Sequence, residues 1–339
     1  MIKNNKMTIT LFISLIIISA ASLFVGVIDI SIKDIFNGDI EKLEILMISR
    51  LPRLLAILCT GIGMSVAGLI MQQLVRNKFV SPTTGATISS AQFGILMALL
   101  FMPSSTLIGR AAFSFLFAIL GTWIFVWFTQ RIKFKDLIMV PLIGIMFNTV
   151  IRGITNFFAF KYGMNQSIST WMTGSFSLII RGRYEIVYLV VPLVILAFIF
   201  ANYFNIVGMG KDFSKNLGVS YEVVLLLGLT ITAMITASII VIVGSISYIG
   251  LIVPNIITMF KGDKLRGTLI DTALFGGIFV LISDIIGRVI IAPYELPIEL
   301  VIGVIGSILF IVLIFYRLRS GNKLIEFKKK KSEATSFVK

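Results

Sequence analysis

From Met7 onward the chain is a succession of apolar runs, most of them about as long as a bilayer is thick, each closed by a short polar or basic stretch. The first is read as a helix over Met7–Ile28. The others fall at about Leu54–Val75, Thr87–Met102, Ala111–Gln130, Leu137–Phe160, Ile186–Tyr203, Tyr221–Val243, Ile246–Met259, Gly267–Ile286 and Ile298–Phe315. An isolated segment in lipid must satisfy its own backbone hydrogen bonds, so every span is a helix. The expected fold is therefore an all-α integral membrane protein of about ten transmembrane helices. Composition agrees: 57% of the 339 residues are hydrophobic and only 14% are charged, against ~25% charged in soluble domains.

The N-terminus has the basic start and apolar core of a signal peptide. Its core of about 20 residues exceeds the ~7–15 of a signal segment, so it reads as a retained first span. The polar stretch Asp29–Ser49 has irregular three-to-four apolar spacing and fits a short interfacial helix. The net charge of +14 could suggest nucleic acid, but the basic residues flank apolar runs, as topology control requires. With both ends in the cytoplasm, about 20 of the 30 Lys+Arg fall inside, satisfying the positive-inside rule. Residues 1–316 form one polytopic domain, and 317–339, with its Lys328–Lys331 run, is a basic cytoplasmic tail.

A long second span precedes a short third, and a long seventh a short eighth. The second starts outside and the seventh inside. That order predicts an inverted repeat of spans two to five and seven to ten. The short spans are expected to be tilted or buried among other helices.

The residues also exclude chemistry. The chain has no histidine and one cysteine. Imidazole ligands, histidine triads and an intrachain disulfide are ruled out, and no carboxylate cluster suggests a metal. No Gly-x-x-x-x-Gly-Lys-Ser/Thr loop is present, so the chain does not hydrolyse ATP by the usual route. No cofactor is expected. Within the spans, Asn148, Arg152 and Asn156 recur at i, i+4, i+8 along one stripe. A basic residue there faces protein or a water-filled cavity, so the stripe is either a substrate path or a packing network. Gln72, Gln73, Thr83 and Thr84 are weaker path candidates. Gly61, Gly63 and Gly68 read as close-packing positions. Arg50 and Arg53 share one helical face at the outer lip of a span, either snorkelling or meeting a partner.

Several segments, taken in order, carry a resemblance. RLPRLLAILCTGIGMSVAGLIMQQLVRNKFVSPTTG (50–85), WMTGSFS (171–177), GKDFSKNLGVS (210–220), GSISYIGLIVPNIITMFKGDKLRGTL (244–269) and DIIGRVIIAPYELPIELVIGVIGSILF (284–310) are together similar to the FecCD-type permeases of ABC importers for ferric siderophores, haem and vitamin B12. The resemblance covers about residues 8 to 316. It implies a multi-pass permease of the bacterial cytoplasmic membrane that dimerises with an identical or related chain around the path. Its other partners would be an ATP-binding subunit and an extracytoplasmic substrate-binding protein, with no nucleic acid. The resemblance assigns Arg50, Arg53 and Arg288 to docking acidic residues of the binding protein. Gly210, Lys211, Asp212, Lys215, Asn216, Leu217 and Gly218 would form the loop that couples to the ATPase, folded as two small helices with a turn. Asp284 lies four residues before Arg288 and suits a helix ion pair with it.

The sequence departs from the family at Pro254-Asn255, where Pro-His is usual, at Lys264-Leu265-Arg266 in place of Asp-His-Arg, and at Asn77-Lys78 in place of Asn-Pro. The "VPN" and "PYELPI" stretches resemble the branch serving catecholate-type siderophores. Haem and cobalamin are the alternative cargoes. An ion-coupled secondary transporter is the rival class, disfavoured because the acidic residues sit in loops and near span ends rather than at mid-membrane.

Overall fold

Each apolar run closes its backbone bonds within itself, and the helices then pack where glycines let their axes approach. The computed structural model describes residues 2–315 apart from 27, 29, 32–33, 35–37, 103, 105 and 132–138. The predicted tail at 317–339 and the basic loop containing Lys133 and Lys135 lie outside the described residues.

In chain order the helices are α1 (Ile2–Phe24), α2 (Ile40–Ile45), α3 (Leu51–Val75), α4 (Thr87–Phe101), α5 (Leu107–Arg131), α6 (Met139–Lys161), α7 (Asn165–Met172), α8 (Val190–Met209), α9 (Lys211–Asn216), α10 (Tyr221–Val243), α11 (Ile249–Lys261), α12 (Leu265–Val289) and α13 (Ile298–Phe315). Among the described residues, eight helical stretches are long and apolar enough to span a membrane, and α4 and α11 are two shorter apolar helices. Ten spans are thus accounted for. No strand occurs among the described residues, only an isolated bridge between Thr173 and Ser245.

The boundaries of α1 differ from Met7–Ile28: the helix starts earlier and stops at Phe24. Guanidinium groups take the carbonyls at its outer end. Arg50 donates to Leu23 O and Ile28 O, and Arg288 to Ser22 O and Val25 O. The interfacial helix predicted in Asp29–Ser49 is α2, with Asp39 as its N-cap. It runs through a π-helical turn, Leu46–Arg50, into α3.

Both short helices are deeply enclosed. Eleven residues of α4 and nine of α11 are buried, so neither needs to match the bilayer thickness. The close-packing role of the α3 glycines is visible in the backbone. A side chain on Gly61 would meet the backbone of Gly276 in α12, and one on Gly68 the backbone of Gly250 in α11. Gly63 lies against Val190 and Ile235.

The partner choices alternate between the two units. α3 packs on α11 and α12, while α10 packs on α4 and α5, and α3 and α10 pack on each other. A pseudo-twofold relating spans two to five with seven to ten requires this cross-pairing. It also puts the loops after α3 and α10 in corresponding places. Both loops leave regular helix through positive φ: Arg76 at 57° and Ala86 at 64° in the first, Gly244 at 89° and Tyr248 at 68° in the second. Irregular backbone at membrane depth survives only where protein or a wet cavity covers it.

Candidate functional site

The two irregular loops converge on a cavity of about 540 Å³. Thr83 and Thr84 of the first loop and Ser245 and Ser247 of the second lie in its wall, and α6 supplies Asn148, Thr149, Arg152 and Asn156. Ser89 and Gln92 of α4, Asn165 and Ser169 of α7, Thr173 and Glu299 add further polar groups. Asn148 fixes the geometry: its Nδ2 donates to Thr83 O at 3.0 Å, and its Oδ1 accepts from Ser89 Oγ at 2.7 Å. The i, i+4, i+8 stripe is thereby seated with Asn148 half-buried against the loop, while Arg152 and Asn156 are exposed. Apolar lipid would not tolerate that exposure on a spanning helix.

Gln72 and Gln73 are elsewhere. Gln72 Nε2 donates to Gly250 O and Leu251 O, joining α3 to α11. Gln73 Nε2 donates to Asn205 Oδ1 of α8 at 3.3 Å. These amides bridge helices, and neither lines the cavity.

Two of the three predicted outer arginines, Arg53 and Arg288, share one ion-pair assembly, and the third, Arg50, donates to carbonyls at the end of α1. Arg53 Nη1 sits 2.9 Å from both carboxylate oxygens of Glu295, and its Nη2 donates to Asp284 Oδ1 at 2.7 Å. Arg288 Nη2 faces Asp284 Oδ2 at 2.7 Å, the i, i+4 pair expected from spacing. Arg288 also binds the Ser22 hydroxyl at 2.6 Å and is only 8% exposed. Glu295 accepts in addition from Ser177 Oγ at 2.7 Å. Burial of Glu295 pushes its carboxyl up, but the Ser177 hydroxyl and the Arg53 and Arg288 charges outweigh this and hold it below the usual carboxylate range. Arg50 turns to the end of α1. All three guanidiniums are thus engaged within the chain.

The matching inner clip was not singled out by spacing. Lys261 of α11 pairs with Asp271 of α12, and Asp271 Oδ1 accepts from Thr8 Oγ1 of α1 at 2.7 Å. Both charged side chains are buried. Asn255, standing where the family resemblance leads one to expect histidine, is fully buried and donates to Lys78 O at 2.8 Å and Leu251 O at 2.7 Å. An amide suffices to tie α11 to the loop after α3.

On the side assigned to the cytoplasm, Gly210 (φ 121°) and Gly218 (φ 71°) bracket a single short helix, α9, where two small helices were predicted. Its C-terminal turn is wrapped by Gly218 N–H to Lys215 O and Val219 N–H to Ser214 O. Ser214 points inward and bonds Gly210 O. Lys211, Asp212, Lys215, Asn216 and Leu217 point outward. Phe213 and Leu217, four apart, are 46% and 54% exposed.

A model of the FecCD transport family matches residues 13–316. The chain belongs to that family. It is 45% identical over 307 residues to the petrobactin import system permease protein YclN of Bacillus subtilis, covering 91% of this chain and 97% of that one. It is 36% identical over 308 residues to the ferric-anguibactin transport system permease FatD of Vibrio anguillarum, covering 90% and 97%. Among solved structures, an inward-facing metal-chelate type ABC transporter superposes with a TM-score of 0.79 at 26% identity, covering 92% of this chain and 99% of that one. This FecCD family member therefore has the fold of an ABC transporter permease and is a multi-pass protein of the cytoplasmic membrane.

The residues missed from sequence are mainly Glu299 and the serines of the second loop. Glu299 stands at the head of a span, where a carboxylate ordinarily complements the helix dipole. The signal that could have exposed Ser245 and Ser247 was the break after Gly244, in the same place in its unit as the Pro-Thr-Thr-Gly loop.

Proposed function

We propose that this chain is the permease subunit of an ATP-driven importer that carries an intact ferric siderophore, of catecholate type, across the cytoplasmic membrane by alternating access. The observation that carries the cargo assignment is Arg152, an exposed guanidinium on a spanning helix inside a cavity of about 540 Å³. A ferric catecholate complex is anionic, and a fixed cation in a partly dehydrated cavity attracts it far more strongly than in water. The named cargoes of the relatives, petrobactin and ferric anguibactin, support an iron chelate over haem or cobalamin.

The exposed α6 stripe calls for a second permease chain, identical or related, so that the path lies between two polar faces rather than against lipid. ATP is bound and hydrolysed by a separate subunit, which receives α9. The apolar pair Phe213 and Leu217 supplies the contact, with Lys211, Asp212, Lys215 and Asn216 around it. An extracytoplasmic binding protein docks at the outer rim, where Arg53 is more accessible than Arg288 and Glu295 lies beside it. Arg50 and Arg288 serve that surface by holding the end of α1 in place.

Uptake of iron-59 supplied as a ferric catecholate tests the reading in cells deleted for this permease and for redundant ones. Re-expression restores uptake. Arg152→Gln, present in the membrane at the wild-type level, lowers it about tenfold or more, the scale of one lost charge-assisted bond. Unchanged uptake on deletion would remove the catecholate assignment.

A further inference from the structure

We propose that Glu299 makes the cavity selective for a ferric chelate that carries a protonated amine as well as its anionic iron centre. This rests on the import reading above and narrows its substrate class.

Among the described residues, Arg152 and Glu299 are the only charged ones in the cavity wall. They share the space without an ion pair between them among the described residues. Arg152 has no hydrogen-bond or ion-pair partner among the described residues. Glu299 uses one oxygen, Oε2, to accept the Gly174 N–H at 3.4 Å, and its Oε1 has no partner there. A carboxylate placed to neutralise an arginine looks different in this chain: Asp284 lies 2.7 Å from each of two guanidiniums.

Glu299 feels the charge of Arg152 across the cavity but is anchored on a different element, with no ion pair between the two among the described residues. Gly174 sits at the crossing where Ser175 N–H bonds Val243 O and Ser245 N–H bonds Met172 O. Glu299 N–H in turn bonds Gly174 O at 3.2 Å. The carboxylate is thus tied to the backbone at the second irregular loop, while Arg152 projects from α6. Two opposite charges kept apart, each with bonding capacity open to one cavity, fit a ligand that carries both signs. A purely anionic cargo would meet repulsion from Glu299 in a site of low dielectric. An alkylammonium, protonated throughout the physiological range, would give Oε1 a charge-assisted partner, and the hydroxyls and amides of the wall would serve the remaining N–H groups.

The test is a matched pair of probes in the uptake assay. One is the iron-59 complex of a catecholate ligand with a free secondary amine in its backbone. The other is the same ligand with that amine acetylated. Each variant's rate is divided by the wild-type rate on the same probe, which cancels any preference of the binding protein. For Glu299→Gln the amine-to-acetyl ratio falls about tenfold. The glutamine carbonyl still accepts the Gly174 N–H, so the tether survives. Glu299→Asp keeps most of the ratio. Arg152→Gln lowers both rates and leaves the ratio unchanged. A ratio unaltered in Glu299→Gln, with that variant in the membrane, overturns the proposal. Wild-type uptake of neither probe overturns the import reading instead, before any variant is compared.

Discussion

Replacing Asp284 by Asn tests whether the outer ion-pair assembly holds the fold. Asp284 is 3% exposed and lies between Arg53 and Arg288, 2.7 Å from each. Asparagine is nearly the same size, so packing is preserved and only the charge and one acceptor are lost. Its amide NH₂ must face one of two guanidinium NH₂ groups, donor against donor. Arg53 retains Glu295. Arg288 loses the only carboxylate within ion-pair distance among the described residues. Leaving a buried charge unmatched costs ~3–5 kcal/mol. At ~2 °C per kcal/mol for a chain of this size, the unfolding temperature in detergent falls about 6–10 °C, read by near-ultraviolet circular dichroism on the purified protein. Adding Arg288→Met to Asp284→Asn restores part of the loss, because it removes the orphaned charge and keeps an apolar stem; the two changes are therefore strongly non-additive. An Asp284→Asn protein that melts within about 1 °C of wild type, or a double variant whose loss is the sum of the singles, would refute the reasoning.

Gly68→Ala drives a methyl into the Gly250 backbone and lowers stability by about 1–3 kcal/mol, whereas Gly267→Ala, with open space around its Cβ, raises it by up to ~1 kcal/mol; thermal melts of the two give opposite signs. Phe213→Asp with Leu217→Asp leaves the melting temperature of the isolated permease unchanged but abolishes co-purification of the ATP-binding subunit and iron uptake. Glu295 has a depressed pKa in the folded chain, so its contribution is fully present above its unfolded value and is lost as pH falls through the folded one. The melting-temperature advantage of wild type over Glu295→Gln is accordingly constant from about pH 5 to 8 and shrinks below about pH 4.

Much of the fold is legible because lipid leaves few options. Hydrophobic length locates the spans, and a run too short to cross alone, such as Thr87–Phe101 or Ile249–Lys261, declares itself a helix enclosed by others. Helical spacing places Asn148, Arg152 and Asn156 on one face, and the face proves to be a cavity wall. The same logic fails for Gln72 and Gln73, because an amide in a span bonds a neighbouring helix as readily as it faces a cavity. Local spacing yields the Asp284–Arg288 pair. It cannot reveal that α1 folds over that pair, since Ser22 lies 266 residues away in the chain, nor that Glu295 reaches Arg53 across 242. Such contacts depend on tertiary assembly, which single-sequence periodicity does not encode.

The first helix is fastened to α12 near both ends, by Thr8 to Asp271 and by Ser22 to Arg288, and little of its surface is otherwise covered. In biosynthesis α1 enters the bilayer long before α12, the helix that fastens it near both ends. A ribosome that stops after α11 has produced eight of the ten spans, yet none of the residues on α12 that capture α1. Until α12 is made, side-chain bonds to α1 come from Arg50 and Lys261, so the full seating of α1 at both ends reports that synthesis has passed Arg288.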